Sequence, residues 1–535
     1  MSLKPKPPRE MTEELARIGK SLLPEGSAFR LVGDKLYEKY REEDFGFLYH
    51  PEGREAISPV DLLFVSAFQA LENLSDREAA QALRVNIGWK YALHLPLDDD
   101  GFNFSVLSEF RDRLVKFDAE RVLFDQLIAQ FQEMGVLKKR GRQRTDSLAI
   151  FTHLDKLNRL ELIVETVRLS VVALVKVAPD FMRLHIPPEW AEKYTERCVS
   201  ERLNDAERAR LNAETGRDGV WLLNLIDAPS TPGELKELSE IKVLRQVWSE
   251  QFEIKGEEIV LRAPKTLNAP NGGLIQNPQD PDLRWSSKRD QTWTGYKVQV
   301  TETDDEDHPH LITDIALTAS TQSDQIALED IAKRQIENDT LPSERLGDKG
   351  YTSGKNLRAA NERSEKLIGP SIVRVTPQHK IEGGLTRDQF IWDEETKVAT
   401  CPAGVQSQVG RPDAKGNIHV RFNTKDCEEC PLREKCCTGK EGRRLQYNRY
   451  KEELNWAEVQ FKFAEIKKLY GRRGGIEACL SNLVSKFGIR KTRYKGQRKN
   501  NLRVLFIGVA ANLRRVGRWL GGERTKARKV RVLIP

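Results

Sequence analysis

The sequence predicts an α/β fold, because strand and helix patterns alternate in the second half of the chain. Two segments rich in β-branched and aromatic residues, 295–301 and 311–319, have the composition and alternation of strands. An amphipathic helical pattern follows at 323–336, and short strand patterns lie at 344–346 and 366–368. This order is typical of a mixed sheet with flanking helices.

Residues 1–140 are predicted to be helical. Ser58 before a proline is a helix start, and Ser75 with Glu78 forms a capping box for the next helix. A third helix is expected at 105–117, with its apolar residues on one face. Three short helices are typical of a helix-turn-helix-like DNA reader and equally of a bundle used for dimerisation, and both interpretations stay open.

Residues 155–280 also carry mainly helical patterns, the strongest at 160–177. The stretch 263–284 is rich in Pro, Gly, Asn and Asp, which predicts a loop or a domain boundary.

Composition restricts the class of protein. The chain has 535 residues, 39% of them hydrophobic and 31% charged, which predicts several structural units with hydrophilic surfaces. No stretch reaches the ~20 apolar residues that cross a bilayer, and the best candidate, 162–178, is interrupted by charges. The N-terminus lacks the apolar segment of a secretory signal, so we expect a cytoplasmic protein without a membrane partner.

The net charge of +7 is unevenly distributed. From Lys486 to the C-terminus there are sixteen Lys and Arg residues and one acid, Glu523. A segregated basic segment predicts a polyanionic partner, and a solvated basic tail is the alternative. Apolar residues at 502–513 indicate that part of this segment packs.

Three acidic residues lie in settings unlike an ordinary surface. Asp146 enters an apolar run, and Asp348 ends a short strand pattern just before a glycine turn. Glu477 begins a helical pattern and lies beside its apolar stripe. Taken singly, each acid is equally consistent with a surface charge or a strand-end cap.

The third acidic segment, Tyr470-Gly-Arg-Arg473-Gly-Gly-Ile-Glu477, resembles a family signature. Its spacing is that of Tyr-x2-Arg-x3-Glu-x6-Lys, which marks one branch of the DDE transposases of bacterial insertion sequences. Val484 occupies the lysine position, and Lys486 is the nearest replacement.

Four other segments resemble the same family. They are Asp146-Ser147, Asp348-Lys-Gly-Tyr351, residues 288–297 and the N-terminal stretch 59–114. The first departs from the commoner Asp-Ser-Thr by having Leu148. The resemblance spans residues 50–520, with its motifs in the family's order.

The resemblance implies an α/β ribonuclease H-like core, with a mixed five-stranded sheet, flanking helices, an all-α N-terminal region and two insertions. Asp146 is expected on the first strand, Asp348 on the fourth and Glu477 on a following helix. The implied domains are a DNA-binding or dimerisation region at 1–140, a catalytic domain at 141–520 and a basic tail at 521–535. The catalytic domain is interrupted by a helical insertion at 155–280 and a cysteine-containing insertion at 371–455.

The resemblance also implies that Asp146, Asp348 and Glu477 are catalytic and bind two Mg²⁺ or Mn²⁺ ions. Carboxylate oxygens suit these ions, which activate a water or a 3′-hydroxyl and stabilise the leaving oxygen in phosphodiester cleavage. The expected partner is double-stranded DNA, both transposon ends and target, bound by a homodimer at the bacterial nucleoid. The residues expected to contact DNA are Tyr470, Arg473, Lys486, Lys288, Arg289, Arg490, Lys491 and Arg493.

Two adjacent glycines, Gly474 and Gly475, precede Glu477. Each would cost roughly 1 kcal/mol inside a helix. Either the helix begins there or the backbone approaches DNA closely.

Cysteines cluster in the second insertion. Cys427 and Cys430 have the C-x2-C spacing of a tetrahedral Zn²⁺ site, which Cys401 and Cys436 would complete, with Cys437 as the alternative fourth ligand. Reduced thiols near the surface are the other interpretation. Cys198 and Cys479 are expected to be ordinary buried thiols.

Three functions compete. The first is an active transposase that binds terminal inverted repeats, cleaves the ends and joins them to target DNA. The second is a catalytically decayed or domesticated DNA-binding derivative. The third is a metal-dependent nuclease without strand transfer. The intact set of acids favours the first, whereas Leu148 and Val484 keep the second open.

Overall fold

The computed structural model describes residues 1–523 apart from 257, 271, 289–290, 372–375 and 438. The chain divides into two compact units. The first unit contains Met1–Gly141, Thr145–Leu341 and the chain from Gly475, and the second contains Arg142–Arg144 and Pro342–Gly474. Arg289 and the tail cations from Arg524 onward lie outside the described residues.

The N-terminal part of the first unit is helical, as its capping signals predict. Ser58 accepts the backbone N–H of Asp61, and Ser75 and Glu78 form the predicted capping box. The helices are α1 (Glu13–Leu22), α2 (Ala28–Leu31), α3 (Pro59–Glu72), α4 (Asp76–Val85), α5 (Ile87–Ala92), α6 (Ser105–Lys116) and α7 (Val122–Glu133). A π-helical turn at Val32–Leu36 and 3₁₀ segments at Tyr37–Lys39 and Glu42–Leu48 connect α2 to α3.

After strand β1 (Arg142–Phe151) the chain enters the predicted helical segment, which has its own apolar core. Gly219 allows close helix packing there, because a Cβ at this position would lie 2.1 Å from the Trp248 ring. The elements are α8 (Arg159–Val177), α9 (Pro179–His185), α10 (Trp190–Lys193), α11 (Asp205–Asp227), α12 (Gly233–Lys236), α13 (Ser239–Gln251), β2 (Phe252–Lys255) and β3 (Glu258–Leu261). Short 3₁₀ segments lie at Ser200–Arg202 and Pro264–Thr266.

The chain then returns to the sheet of the first unit through β4 (Arg284–Lys288), β5 (Gln291–Thr303) and β6 (Ile312–Ala319), followed by α14 (Asp324–Glu337). The strand order is β4-β5-β1, and β6 also pairs with β5 in antiparallel register. The predicted strands at 295–301 and 311–319 and the helix at 323–336 are confirmed. The prediction omitted β4, because Arg-Trp-Ser-Ser-Lys has no apolar alternation.

The second unit contains the other predicted strands, β7 (Glu344–Gly347) and β8 (Lys366–Ile368), which pair in parallel. Here the order is β1-β7-β8, with Arg142–Arg144 of β1 belonging to this unit. The remaining elements are α15 (Gly354–Glu362), β9 (Ile391–Asp393), β10 (Val398–Thr400), β11 (Arg411–Pro412), β12 (Ile418–Arg421), α16 (Thr424–Glu428), α17 (Arg433–Cys436), β13 (Arg444–Tyr447), α18 (Lys451–Gln460) and α19 (Ala464–Gly471). 3₁₀ segments lie at Pro377–Lys380, Arg387–Gln389 and Arg472–Gly474.

Two helices complete the first unit, α20 (Gly475–Phe487) and α21 (Gln497–Leu520). Helix α21 is buried over most of its length and contacts α3, α6, α7 and β6. Its fully buried Asn512 accepts the N–H of Ile312 and donates to the carbonyl of the same residue, each at 2.8 Å. The N-terminal helices, the sheet and the basic C-terminal segment therefore share one apolar core.

Part of the C-terminal positive charge is neutralised inside the first unit. Arg498 donates to Asp118 and Glu120 at 2.6 Å, and the ammonium of Lys499 lies 2.5 Å from Asp112. The count of sixteen cations therefore overstates the charge that this segment presents to a polyanion.

The α/β class with a helical N-terminal region is confirmed, but the expected number of five strands is wrong, because the described sheet has six with β4 added. In the described part of the chain, no helix has both the length and the apolar character that a membrane span requires.

Candidate active site

Asp146 lies within β1 and is 8% exposed, and its Oδ1 accepts the N–H of Ser147 at 2.8 Å. The hydroxyls of Thr145 and Thr301 are hydrogen-bonded at 2.9 Å, which fixes β1 against β5. Because successive side chains of a strand alternate between its faces, Asp146 lies on the face of β1 opposite Thr145.

The packing of β5 against β1 explains why the 288–297 motif has a glycine at position 295. A Cβ at this position would lie 2.0 Å from the carbonyl oxygen of Ile150, so only glycine lets β5 approach β1 this closely. The neighbouring Tyr296 is fully buried and donates to Asp280 at 2.7 Å. In this motif, the residues on β5 therefore have structural roles.

Glu477 lies in the first turn of α20, where its side chain is exposed beside the buried Ile476. Helix α20 begins at Gly475, which confirms the first of the two interpretations of the glycine pair. Val484 is half-buried against the core of the first unit, which explains an apolar residue at the lysine position of the signature. Lys486 is exposed on the same helix.

A polar cluster joins the helix that carries Glu477 to the strands beside Asp146. Arg515 on α21 donates to Glu302 of β5 at 3.1 Å and to the Sγ of Cys479 of α20 at 3.0 Å. Burial raises the pKa of the Cys479 thiol to about 12, with Arg515 acting in the opposite direction. Cys479 is buried as predicted, but it is a hydrogen-bond acceptor rather than an ordinary core thiol.

Asp348 follows β7 in the second unit. Its Oδ1 accepts the N–H of Gly350 at 2.8 Å, and its carbonyl accepts the N–H of Tyr351 at 3.0 Å. Tyr351 is fully buried, and its carbonyl accepts the side-chain N–H of Asn356 at 2.8 Å. The Asp-Lys-Gly-Tyr motif is thus a rigid turn that holds the carboxylate at the end of the strand.

Two further contacts support this turn. A Cβ at Gly369 would lie 2.2 Å from the carbonyl oxygen of Gly347, so the ends of β7 and β8 approach closely. Arg345 of β7 forms a buried ion pair with Glu365, and Arg363 lies 3.1 Å from the same carboxylate. Burial raises the pKa of Glu365, but Arg345 and Arg363 outweigh it, so the net shift is downward.

The three predicted acids are therefore distributed over the two units. Asp146 and Glu477 lie in the first unit, where the Arg515 cluster connects the helix of Glu477 with β5, the strand next to β1, and Asp348 lies in the second. Among the residues that the structure describes, no group of three or more His, Cys, Asp or Glu side chains is already arranged to hold a metal ion.

The predicted DNA contacts of the first unit occupy different environments. Lys288 and Lys491 are exposed, and the guanidinium of Arg490 stacks over Phe151 with 5.5 Å to the ring centroid. Arg493 donates to the carbonyl of Leu74 at 2.8 Å and to Asn73 at 2.6 Å, so it closes the C-terminal end of α3. This packing gives Arg493 a structural role that its sequence context did not indicate.

Tyr470 and Arg473 belong to the second unit, although they share a motif with Glu477. Tyr470, at the end of α19, packs edge-on against Phe461 with the ring centroids 5.0 Å apart. Arg473 lies in the 3₁₀ turn that precedes α20.

Comparison with known families adds two matches. Residues 400–517 match the model described as a transposase DDE domain, and residues 18–113 match a transposase domain known as DUF772. Together, the two matches support a DDE transposase of insertion-sequence type. No curated protein and no solved structure matches this chain.

The DDE match of the transposase includes Glu477 and the cysteine cluster but neither Asp146 nor Asp348. The assignment of those two acids therefore rests on the motifs and on the geometry above. The N-terminal match begins within α1 and extends through α5 and most of α6, so it covers much of the helical region.

The cysteine cluster of the transposase surrounds one small cavity of about 30 Å³. Cys436 is buried, and burial raises the pKa of its thiol to about 11, with Arg443 acting in the opposite direction. Cys198 lies elsewhere, half-buried at the edge of the helical core, so the prediction of a buried thiol there is wrong. The cysteines around the cavity are Cys401, Cys427, Cys430, Cys436 and Cys437.

Sequence reasoning missed the cluster of Arg515, Glu302 and Cys479. One signal was present, because Glu302 directly follows the apolar strand pattern that contains Val298 and Val300. A charged residue in such a position requires a partner, but nothing in the sequence indicates that the partner is Arg515.

Proposed function

We propose that this transposase binds transposon terminal inverted repeats and catalyses metal-dependent DNA strand cleavage and strand transfer. Asp146, Asp348 and Glu477 are the proposed metal-binding carboxylates. The observation that carries the proposal is the Arg515 cluster, which connects the helix of Glu477 with the strand pair of Asp146 inside a chain of this family.

The proposal includes a ribonuclease H-like core. In support, Asp146 lies on β1, antiparallel strands β5 and β6 follow, and Asp348 ends β7, which pairs in parallel with β8. Glu477 then lies on a later helix. This is the order that the resemblance implies for the three acids.

The three candidate ligands suit a hard divalent cation, because all of them are carboxylates. When bound, Mg²⁺ or Mn²⁺ would lower the pKa of an attacking hydroxyl and stabilise the leaving oxygen of the phosphodiester. The chain itself restrains the ligands: Ser147 and Gly350 each donate a backbone N–H to one oxygen of Asp146 and Asp348. Glu477 is exposed and accessible to DNA.

The proposed DNA contacts come from exposed cations near these elements, Lys288, Lys486 and Lys491 in the first unit. Arginine and lysine contacts to phosphates position a duplex without reading its sequence. Arg473 and Tyr470 of the signature are proposed to contact phosphate oxygens in the same way.

The test is incubation of purified protein with a labelled end duplex and Mg²⁺, followed by measurement of nicked and joined products. Asp146→Asn, Asp348→Asn and Glu477→Gln are expected to remove both products while retaining end binding. Asp180→Asn is the matched control, because this exposed acid pairs only with the nearby exposed Arg183 among the contacts described.

The products also separate the alternatives. Nicking without joining by the wild-type protein would favour a nuclease. End binding without any metal-dependent product would favour a decayed or domesticated derivative. Equal cleavage by all three acid variants and the control would refute the assignment of the acids.

A further inference from the structure

The part of the second unit between Pro377 and Tyr447 has a very small apolar core. Its strands, β9 to β13, are two to four residues long. A core of this size rarely stabilises a fold by itself, and small modules commonly add a disulfide or a structural metal. The buried core residues are Phe390, Ala399, Val420, Phe422, Cys436, Leu445 and Tyr447.

All cysteines of this region converge on the cavity of about 30 Å³ beside that core. They come from three separate places in the chain, the turn after β10, the end of α16 and the end of α17. Such convergence of thiols from distant positions is the arrangement that a shared metal ion requires. A cavity of this size is comparable to the ~30 Å³ that one water occupies in the liquid.

The hydrogen-bond partners of Cys427 and Cys437 differ, and the difference bears on which thiols would bind a metal ion. The Sγ of Cys427 accepts the backbone N–H of Arg443 at 3.4 Å, which is the kind of contact that stabilises a thiolate. The Sγ of Cys437 is instead directed at the carbonyl oxygen of Glu441, 3.0 Å away. Cys437 is therefore the poorer ligand and Cys436 the better one.

Cys401 lies in a tight turn that suits a metal ligand. Its N–H donates to Val405 at 2.9 Å, its carbonyl accepts from Gly404 at 2.8 Å, and Gly404 has a φ of +82°. This left-handed conformation favours glycine. The turn presents Cys401 toward the short helices that carry the other cysteines, since all line the same cavity.

We propose that Cys401, Cys427, Cys430 and Cys436 hold one structural Zn²⁺ ion in the second unit, with Cys437 outside the ligand set. Four thiolates in tetrahedral geometry at about 2.3 Å form a closed structural zinc site. The described chain holds no three such side chains already at metal-binding separations, so zinc binding draws the turn and the two helices together. This proposal does not depend on the transposition chemistry.

The zinc site also supports the wall of an adjoining cleft. Phe390 and Arg443 line both the thiol cavity and a cleft of about 1110 Å³. Arg443 donates to the carbonyl of Cys436 at 2.8 Å and to that of Leu385 at 3.2 Å. Loss of the metal is therefore expected to loosen the cleft as well as the cysteine turn.

The experiment measures zinc in the purified full-length protein by elemental analysis and compares cysteine variants. The wild type, Cys437→Ser and Cys198→Ser are expected to carry about one zinc per chain, as a closed four-ligand site requires. Cys401→Ser, Cys427→Ser, Cys430→Ser and Cys436→Ser are expected to lose most of it. Replacement of zinc by Co²⁺ in the wild type is expected to give thiolate-to-cobalt absorption.

A second measurement does not rely on folded variants. Titration of the wild type with an organomercurial thiol reagent, with a zinc-sensitive dye present, is expected to release the zinc as the thiols react. A wild type without zinc, iron in its place, or loss of zinc from Cys437→Ser with retention in Cys436→Ser would each overturn the proposed site.

Discussion

The guanidinium of Arg515 donates to the carboxylate of Glu302 at 3.1 Å, and a second nitrogen of the same group donates to the sulfur of Cys479. Glu302 follows Thr301, which is hydrogen-bonded to the residue before Asp146, and Cys479 lies two residues after Glu477. A single side chain of α21 therefore sets the position of the helix that carries one candidate ligand relative to the strand that carries another.

Arg515→Met is expected to lower the free energy of unfolding of the first unit by about 3 kcal/mol, because it removes the cation that pairs with the nearly buried Glu302 at 3.1 Å. This value lies at the lower end of the range for buried pairs, since the Arg515 side chain is 23% exposed. Chemical denaturation followed by tryptophan fluorescence checks this. Arg518→Met is the control, because Arg518 pairs at 3.7 Å with Glu523 on the surface and its loss should change little. If the two substitutions lowered the free energy of unfolding equally, the proposed structural role of Arg515 would be contradicted.

Gly295→Ala is expected to destabilise the first unit by at least about 2 kcal/mol, because the added methyl group meets the backbone of β1 and no side-chain rotation relieves the contact. Gly233→Ala is the matched control, since a Cβ there meets nothing within 4 Å. Amide hydrogen exchange of β1 and β5 is the measurement. Unchanged protection of these strands in Gly295→Ala would show that the close approach is not required.

The buried pair of Arg345 and Glu365 predicts acid sensitivity of the β7–β8 edge. The folded-state pKa of Glu365 is lowered, so its contribution to stability is present above the unfolded pKa of about 4.5 and is lost as the pH falls through the folded pKa. Amide protection at 344–368 should therefore decrease below about pH 4.5 in the wild type. In Glu365→Gln, protection should already be lower at neutral pH, and the difference from the wild type should shrink on acidification. If the difference between the wild type and Glu365→Gln grew on acidification, the Glu365 carboxylate would not be stabilising the folded state in the way proposed.

The sequence predicted the elements that carry the acids better than it predicted what surrounds them. The capping box at Ser75 and the helix start at Ser58 are local chemistry, so the sequence identified them correctly. Asp348 was recognisable because it follows a short strand pattern and a glycine stands two residues later. The partner of Glu302 was not predictable, because Arg515 is 213 residues away in the chain.

The basic C-terminal segment shows the same contrast between local features, which the sequence predicts, and long-range contacts, which it does not. Its cations were counted correctly, but the count could not distinguish Arg493, which donates to the backbone at the end of α3, from Lys491, which is predicted to contact DNA. Likewise, the C-x2-C spacing indicated two thiols of a cluster, whereas the place of Cys437 depends on a hydrogen bond to Glu441 that only the fold supplies.

Removal of the chain after Leu520 is expected to weaken end binding and to reduce its salt dependence. The removed residues include Arg524, Lys526, Arg528, Lys529 and Arg531. For each DNA phosphate that the shortened chain no longer neutralises, the slope of log K against log salt should fall by about 0.9, because fewer counterions are released on binding. Gel-shift titrations at several salt concentrations measure the slope. Arg498→Gln is the control, since Arg498 is already paired with Asp118 and Glu120, and an unchanged slope in the truncated protein would refute a role for the tail.

Asp348→Asn is expected to retain end binding and to lose Mg²⁺-dependent nicking by at least about 100-fold, because the substitution keeps the size of the side chain but removes a metal-binding charge. The hydrogen bond from Gly350 to the side-chain oxygen can persist in the variant, so the turn should remain folded. Asp413→Asn, in the β11–β12 connection of the same unit, is the matched control, since Asp413 serves its own loop through Asn417 and His419. Nicking and gel-shift measurements on the same preparations distinguish the two effects. If both variants cleaved like the wild type, Asp348 would have no part in the chemistry, whereas loss of binding in Asp348→Asn would instead indicate that the turn positions DNA.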